Sequence, residues 1–235
     1  MKYRYVTERE NYEDLASGRV LLSQPGAPSF PVRLASEIFQ RCDEYLPDRR
    51  LALFDPCCGG GYLLTVLGFL HGERIDALYG ADIVPDVVPL ARRNLALLTQ
   101  AGLDARRQAL TEMSAAYGKD SHAEAIASAD RLRDALPQSI DLGAWSADAT
   151  QRCLPAASID LLISDVPYGV EVTWQGQADA DPIMALLDAQ LPALKPGGIA
   201  AIISDKKQRA VHPAYDRRLH DTLGKRRITL LQKPR

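Results

Sequence analysis

Residues 51–70 read LALFDPCCGGGYLLTVLGFL. A short apolar run, Leu51 to Phe54, ends on Asp55, and a tight loop, Pro56 to Gly61, follows. Beyond it Leu63, Leu64, Val66, Leu67 and Leu70 recur at helical spacing. Strand, glycine-rich turn and helix in that order form the entry to a doubly wound α/β sheet. Ligands of such sheets bind outside the carboxyl ends of the strands, so Asp55 is expected at the mouth of a site.

The loop also restricts the ligand. A dinucleotide fingerprint wants G-x-G-x-x-G. Gly59 and Gly61 fit the first two positions, but Leu64 stands at the third. Asp55 would further set a carboxylate against a pyrophosphate, and like charges repel. A cationic cofactor suits the carboxylate better, and S-adenosylmethionine carries both a sulfonium and an ammonium. D-P-x-x-G-x-G resembles motif I of the class I methyltransferases that modify amino groups, which implies cofactor contacts from Asp55, Pro56, Cys57, Gly59 and Gly61.

Working downstream, IDALYGADI (75–83) is a second strand with Asp82 at its carboxyl end. A carboxylate there can accept both hydroxyls of a ribose, and Ile83 can cover one face of an adenine. Pro85 to Leu98 reads as a helix with proline at its start and Gly102 beyond its end. Residues 103–140 are longer than a usual link, and read as a helical hairpin over about 104–117 and 121–136, inserted before strand three. It is either a substrate contact or a surface decoration. Strand three is expected at Asp141 to Ser146; Asp148 after it can accept an adenine amine, with the Ala149 N–H as a neighbouring donor.

SIDLLISDVPYG (158–169) supplies a buried strand, Ile159 to Ser164, and then Asp165-Val166-Pro167-Tyr168. This resembles the [D/N/S]-P-P-[Y/F/W] loop of methyltransferases acting on amino groups of sp² carbon. Such nitrogens are poor nucleophiles because their lone pair is delocalised. An Asp165 oxygen and the Val166 carbonyl can accept the hydrogens, Pro167 stiffens the turn and offers no competing N–H, and Tyr168 can stack on the base. Valine at 166 departs from the usual proline but keeps the carbonyl. Trp174 is a second stacking surface or a packing residue.

Asp181-Pro182 should cap and open a helix with Ile183, Leu186, Leu187, Leu191 and Leu194 inward, kinked late by Pro192. LKPGG (194–198) turns into strand five, Ile199 to Ser204. Pro213 to Leu223 reads as a last helix and Ile228 to Gln232 as a final strand at the far side of the sheet, one strand short of the seven usual in the fold.

Upstream, Val20-Leu21-Leu22 suggests a short strand and Leu34 to Leu46 a helix between Pro31 and Pro47. Phe30 and Arg33, just before it, either help close the site or simply pack.

The chain has 235 residues, 46% hydrophobic and 25% charged, the balance of an ordinary globular domain. We expect one domain, with residues 1–48 as an N-terminal helical extension. Four cysteines (Cys42, Cys57, Cys58, Cys153) make no zinc pattern, so no metal is expected and the thiols read as reduced. The polar start MKYRYVTERE and the lack of a long apolar run point to a cytoplasmic protein with no membrane partner. The net charge of −2 hides an asymmetry: residues 205–235 hold ten basic and three acidic side chains, a balance of +7, and the remainder hold 18 and 27, a balance of −9. A basic end on an acidic body suits a polyanion, with Lys206, Lys207 and Arg209 near the ligand edge of strand five; a solvated surface is the alternative.

FPVRLASEIFQR, DPCCGGGYLLTVLG, NLALL, the alanine-rich insertion and DVPYG together resemble the AviRa family, avilamycin-resistance methyltransferases of 23S rRNA. The resemblance implies a Rossmann-like class I methyltransferase sheet and S-adenosylmethionine-dependent N-methylation of a guanine in 23S rRNA or the large ribosomal subunit. It carries Asp55, Gly59, Gly61, Asp82 and Asp148 to cofactor positions, and Asp165, Val166, Pro167 and Tyr168 to the catalytic loop. Lys206, Lys207, Arg209, Trp174 and Arg33 are the expected RNA contacts, and a monomer is expected. Methylation of DNA, tRNA or a protein amide, a non-catalytic binding module, and a nicotinamide dehydrogenase are the alternatives; Leu64 and Asp55 oppose the last.

Overall fold

The computed structural model describes all residues except 1, 9, 17, 25, 27 and 168–180. Its centre is one seven-stranded sheet of order β3-β2-β1-β4-β5-β7-β6. The strands are β1 (Leu51–Asp55), β2 (Ile75–Asp82), β3 (Asp141–Ser146), β4 (Ile159–Asp165), β5 (Leu194–Asp205), β6 (Asp216–Leu223) and β7 (Arg226–Gln232). The first five are parallel; β7 runs antiparallel to β5, and β6, antiparallel to β7, runs with the first five. Central strands covered on both faces must be apolar along their length. β4 obliges, with every residue from Ile159 to Ser164 buried. Two apolar layers result: one centred on Leu53, Leu64, Ile163 and Ile203, the other on Phe54, Leu162, Leu187 and Ile202.

The helices are α1 (Val32–Asp43), α2 (Tyr62–His71), α3 (Val88–Ala96), α4 (Gln100–Tyr117), α5 (Asp120–Asp134) and α6 (Pro182–Gln190). Strand three and the two-helix insertion fall where the sequence places them. Gly102 does not lie past a helix end; it sits in the first turn of α4, and a Cβ there would meet the Ala96 carbonyl oxygen at 1.9 Å. Only glycine allows that approach, so the chain turns from α3 into α4 within three residues. The insertion is more than a decoration. Arg106 of α4 donates to the Val20 and Arg19 carbonyls, and Arg131 of α5 pairs with Asp14 at 2.6 Å. It therefore buttresses the N-terminal extension.

Three expectations are corrected. Val20-Leu21-Leu22 forms no strand. α6 stops at Gln190, before Pro192 can kink it, and Leu194 opens β5 instead of closing the helix. The expected last helix is β6. Leu219 and Leu223, four apart, share a face under a helical period and also under a strand's period of two. Pairing with β7 decides for the strand, through a two-residue hairpin in which Gly224 takes φ +58. β6 supplies the strand that the sequence left missing, and it takes the sheet edge, so β7 lies inside it.

Candidate active site

Two loops meet at the carboxyl ends of β1 and β4. The chain leaves β1 at Asp55, and α2 begins after Gly61, whose φ of +75 is open to glycine at little cost. Asp55 is 2% exposed. Its Oδ1 accepts from the Ser164 hydroxyl at 2.7 Å and from the Cys57 N–H at 3.0 Å. Ser164, on the neighbouring strand, is the residue before Asp165. One hydrogen bond thus joins the two motifs directly.

Burial pushes the Asp55 carboxyl up to about 7; the Ser164 and Cys57 hydrogen bonds pull against it, while Asp82 and Asp165 push the same way. A buried carboxylate with two carboxylates nearby is a site short of positive charge. Among the described residues no lysine or arginine is within ion-pair distance of Asp55. That environment fits a ligand with a cationic centre, as S-adenosylmethionine is. Burial, then Asp55 and Asp82, push the Cys57 and Cys58 thiols up as well, so neither is a thiolate nucleophile.

Asp82 ends β2. Its Oδ2 accepts from the Gly59 N–H at 2.8 Å and its Oδ1 from the Val84 N–H at 3.0 Å. Each oxygen keeps a further lone pair, so the two backbone donors orient the carboxylate without exhausting it. Asp148 is held in the same way on one side only: Thr150 N–H and Oγ1 donate to its Oδ1 at 2.9 and 2.7 Å. Ile83 is half-buried beside Asp82; Ala149 is buried, its carbonyl accepting from Gln190.

At the second loop, the Val166 N–H donates to the Ile203 carbonyl at 2.9 Å, and Gln208 Nε2 donates to the Pro167 carbonyl at 3.0 Å. The loop is thereby tied to β5 and to the turn beyond it, which exposes Lys206, Lys207 and Arg209. Tyr168 and Trp174 lie outside the described residues.

The description "rRNA methyltransferase AviRa" belongs to the family model that matches residues 1–226. The chain belongs to the AviRa family. A curated relative from Streptomyces viridochromogenes, 23S rRNA (guanine(2535)-N(1))-methyltransferase, is 42% identical over 220 residues, 90% of this chain and 88% of the relative. The solved structure of rRNA methyltransferase AviRa from the same organism superposes with a TM-score of 0.88 at 37% identity, covering 99% of this chain and 96% of that one. TrmN from Thermus thermophilus, at 18% identity and a TM-score of 0.54 over 88% of this chain and 50% of its own, shares the fold.

One expected RNA contact of this AviRa-family chain, Arg33, is partly engaged within the N-terminal segment. Arg33 donates through Nε and Nη2 to the Val6 carbonyl, and through Nη2 to Thr7, with its guanidinium 4.0 Å from the Tyr3 ring centroid. Those donors brace the N-terminal segment. Phe30 packs in the core beneath Arg226.

Sequence reasoning missed four residues. Besides Ser164 and Gln208 they are Gln24, whose Oε1 accepts from the Gly60 N–H at 2.7 Å, and Asn94. Asn94, fully buried, donates to the Gly60 and Leu22 carbonyls and accepts from the Leu22 N–H. The N-terminal extension therefore clamps the glycine loop from outside. Asn94 opens the NLALL motif, the one local signal that marked it.

Proposed function

We propose that this chain transfers a methyl group from S-adenosylmethionine to N1 of a guanine in 23S rRNA. The observation that carries the reading is the 42% identity, across nine-tenths of the chain, to a relative named for that activity. The Asp55–Ser164 hydrogen bond supports it by joining the ends of β1 and β4, the strands from which the two loops leave.

The residues fit the cofactor. Asp55, Pro56, Cys57, Gly59 and Gly61 would hold its amino-acid end, Asp82 its ribose hydroxyls, and Ile83, Asp148 and Ala149 its adenine. When bound, it supplies a methyl group made electrophilic by the attached sulfonium. The rest falls to the chain. Guanine presents N1–H and the 2-amino group side by side, two donors on one edge. An Asp165 oxygen accepts from N1–H and the Val166 carbonyl from the amine. The Asp165 carboxylate or water would take the N1 proton as the C–S bond breaks and the N–C bond forms, with the neutral thioether as the leaving group. Pro167 adds no competing donor, and Tyr168 offers a stacking face worth roughly 1–3 kcal/mol to a base drawn from its stack. Positioning of this kind can contribute about 7–11 kcal/mol. Lys206, Lys207 and Arg209 supply phosphate contacts beside the loop; Trp174 is a further candidate for a stacking contact.

The test is methyl transfer from labelled cofactor to 23S rRNA, large subunits, tRNA, DNA and protein. Label confined to rRNA, at a guanine where reverse transcription stops because N1 is blocked, is expected. Label only in DNA, tRNA or protein overturns the rRNA reading and leaves an amino-methyltransferase of another substrate.

A further inference from the structure

We infer that the exposed side of β6, with the partly exposed Arg227 beside it, is a second anchor for the RNA, gripping phosphates of the strand that delivers the target guanine. It rests on the rRNA reading above. The register aligns them: Thr222 pairs with Arg227, His220 with Thr229 and Arg217 with Leu231, so Arg217, His220 and Arg227 lie on one side. On that side Thr229 and Leu231 are buried, and the exposed residues are Arg217, His220 and Thr222 of β6. His220 Nδ1 lies 3.3 Å from Thr229 Oγ1 on that side. At 3.3–3.4 Å per residue the row runs about 13 Å from the catalytic edge of the sheet.

Its charge is unbalanced. Burial and then the charges of Arg227, Arg217 and Arg209 hold the His220 imidazole below its usual range, against the opposite pull of Asp221, so the three guanidiniums share one neighbourhood. Several arginines elsewhere are matched with carboxylates, Arg41 with Glu37, Arg49 with Asp160, Arg74 with Asp43 and Arg107 with Asp130, while others such as Arg92 and Arg106 are held by backbone carbonyls. Among the described residues no carboxylate is within ion-pair distance of Arg209, Arg217 or Arg227. Arg218, at the irregularity between Arg217 and Leu219, differs: it donates to Gln232 and approaches Asp216 at 3.5 Å. No large exposed apolar side chain lies on β6 or β7, which argues against a protein or lipid partner that would want such an anchor. Guanidinium forks without carboxylates suit phosphate.

The face also begins at the chemistry. Arg227 Nη1 donates to the Gln208 carbonyl at 2.6 Å, and Gln208 donates to Pro167 in the catalytic loop. A strand held along β6–β7 is thus led to the loop that receives the base.

The experiment measures binding of a transcribed 23S rRNA fragment at several salt concentrations, for the unmutated protein, the double variant Arg217→Gln/His220→Gln, and Arg218→Gln. The double variant should bind about tenfold more weakly at 0.1 M salt, with a log–log salt slope reduced by about one. Its affinity for S-adenosylhomocysteine should hold, which shows that it is folded. Arg218→Gln should behave as unmutated protein, and Arg217→Lys should recover most of the binding. Unchanged affinity and slope in the double variant overturn the inference. So does normal binding of naked RNA with methylation lost only on assembled subunits, which would point to a ribosomal protein as the partner. If the unmutated protein itself methylates neither RNA nor subunits, the rRNA reading has failed, and the hairpin inference falls with it.

Discussion

The two ends of the parallel sheet each bury an aspartate, and they treat it in opposite ways. At the amino end Asp160, 2% exposed, accepts from Arg49, Lys195 and the Ala52 N–H. Burial pushes its carboxyl up, but those three together outweigh burial and hold it below the ordinary range. At the carboxyl end Asp55, equally buried, has a hydroxyl and one backbone N–H but no cation, and it rises to about 7. One carboxylate is neutralised by the chain. The other meets no cation among the described residues, which is where the proposed cofactor would supply one. The fold thus neutralises the carboxylate at one end with its own cations and leaves the other, at the proposed site, without one.

The contrast can be broken most severely at the chemistry itself. Asp165→Ala should lower methyl transfer by about a thousandfold while S-adenosylhomocysteine affinity, measured by calorimetry, changes little. Full activity would remove the proposed role of Asp165. At the opposite end Asp160→Ala leaves two cations and a backbone donor without their acceptor. It should cost about 3 kcal/mol in urea unfolding, the low side of the range for a broken buried pair because Arg49 is half-exposed. An unchanged midpoint would show that the amino end does not depend on that neutralisation.

Asn94→Ala lies between the two ends, since it strips partners from Gly60 and Leu22. A loss of about 2 kcal/mol is expected, together with weaker cofactor binding, because the glycine loop loses its outer clamp. The smallest effect sharpens the comparison. If the proposed cofactor places its cationic end at Asp55, it binds the ionised form, and cofactor affinity should rise about tenfold from pH 6 to pH 8. Asp55→Asn should flatten the profile, and Ser164→Ala should move its midpoint upward by removing a donor that favours the charge. The sign for the free protein is the reverse. A carboxyl raised on folding holds its proton more tightly in the native state, so this group's contribution to stability falls as pH climbs from about 4 to 7 and is flat beyond that window. Thermal melts across that window read it directly.

What could be read from the residues alone follows how local each signal is. Asp55, Gly61, Asp82 and strand three declare themselves within a dozen residues, because turn glycines and strand-end carboxylates depend on near neighbours. Asp181 capping α6 is equally local. Gln24 reaches Gly60, and Asn94 reaches Leu22, across gaps that no periodicity spans. Ser164 looked like one more small residue in a buried strand until β1 was set beside β4. Arg33 looked wholly uncommitted because its partners, the carbonyls of Val6 and Thr7, are backbone atoms without a sequence signature. Residues 216–223 were ambiguous for the reason already given, a four-residue spacing that satisfies both periods.

β6 closes the sheet with an open flank, and an open flank can recruit strands from other molecules. Here Arg218 interrupts the pairing and Arg217 adds charge beside it, so a second copy would meet a kinked, mutually repelling border instead of a flat ladder. The exposed side of β6 can therefore stay uncovered without inviting fibre-like stacking along its rim.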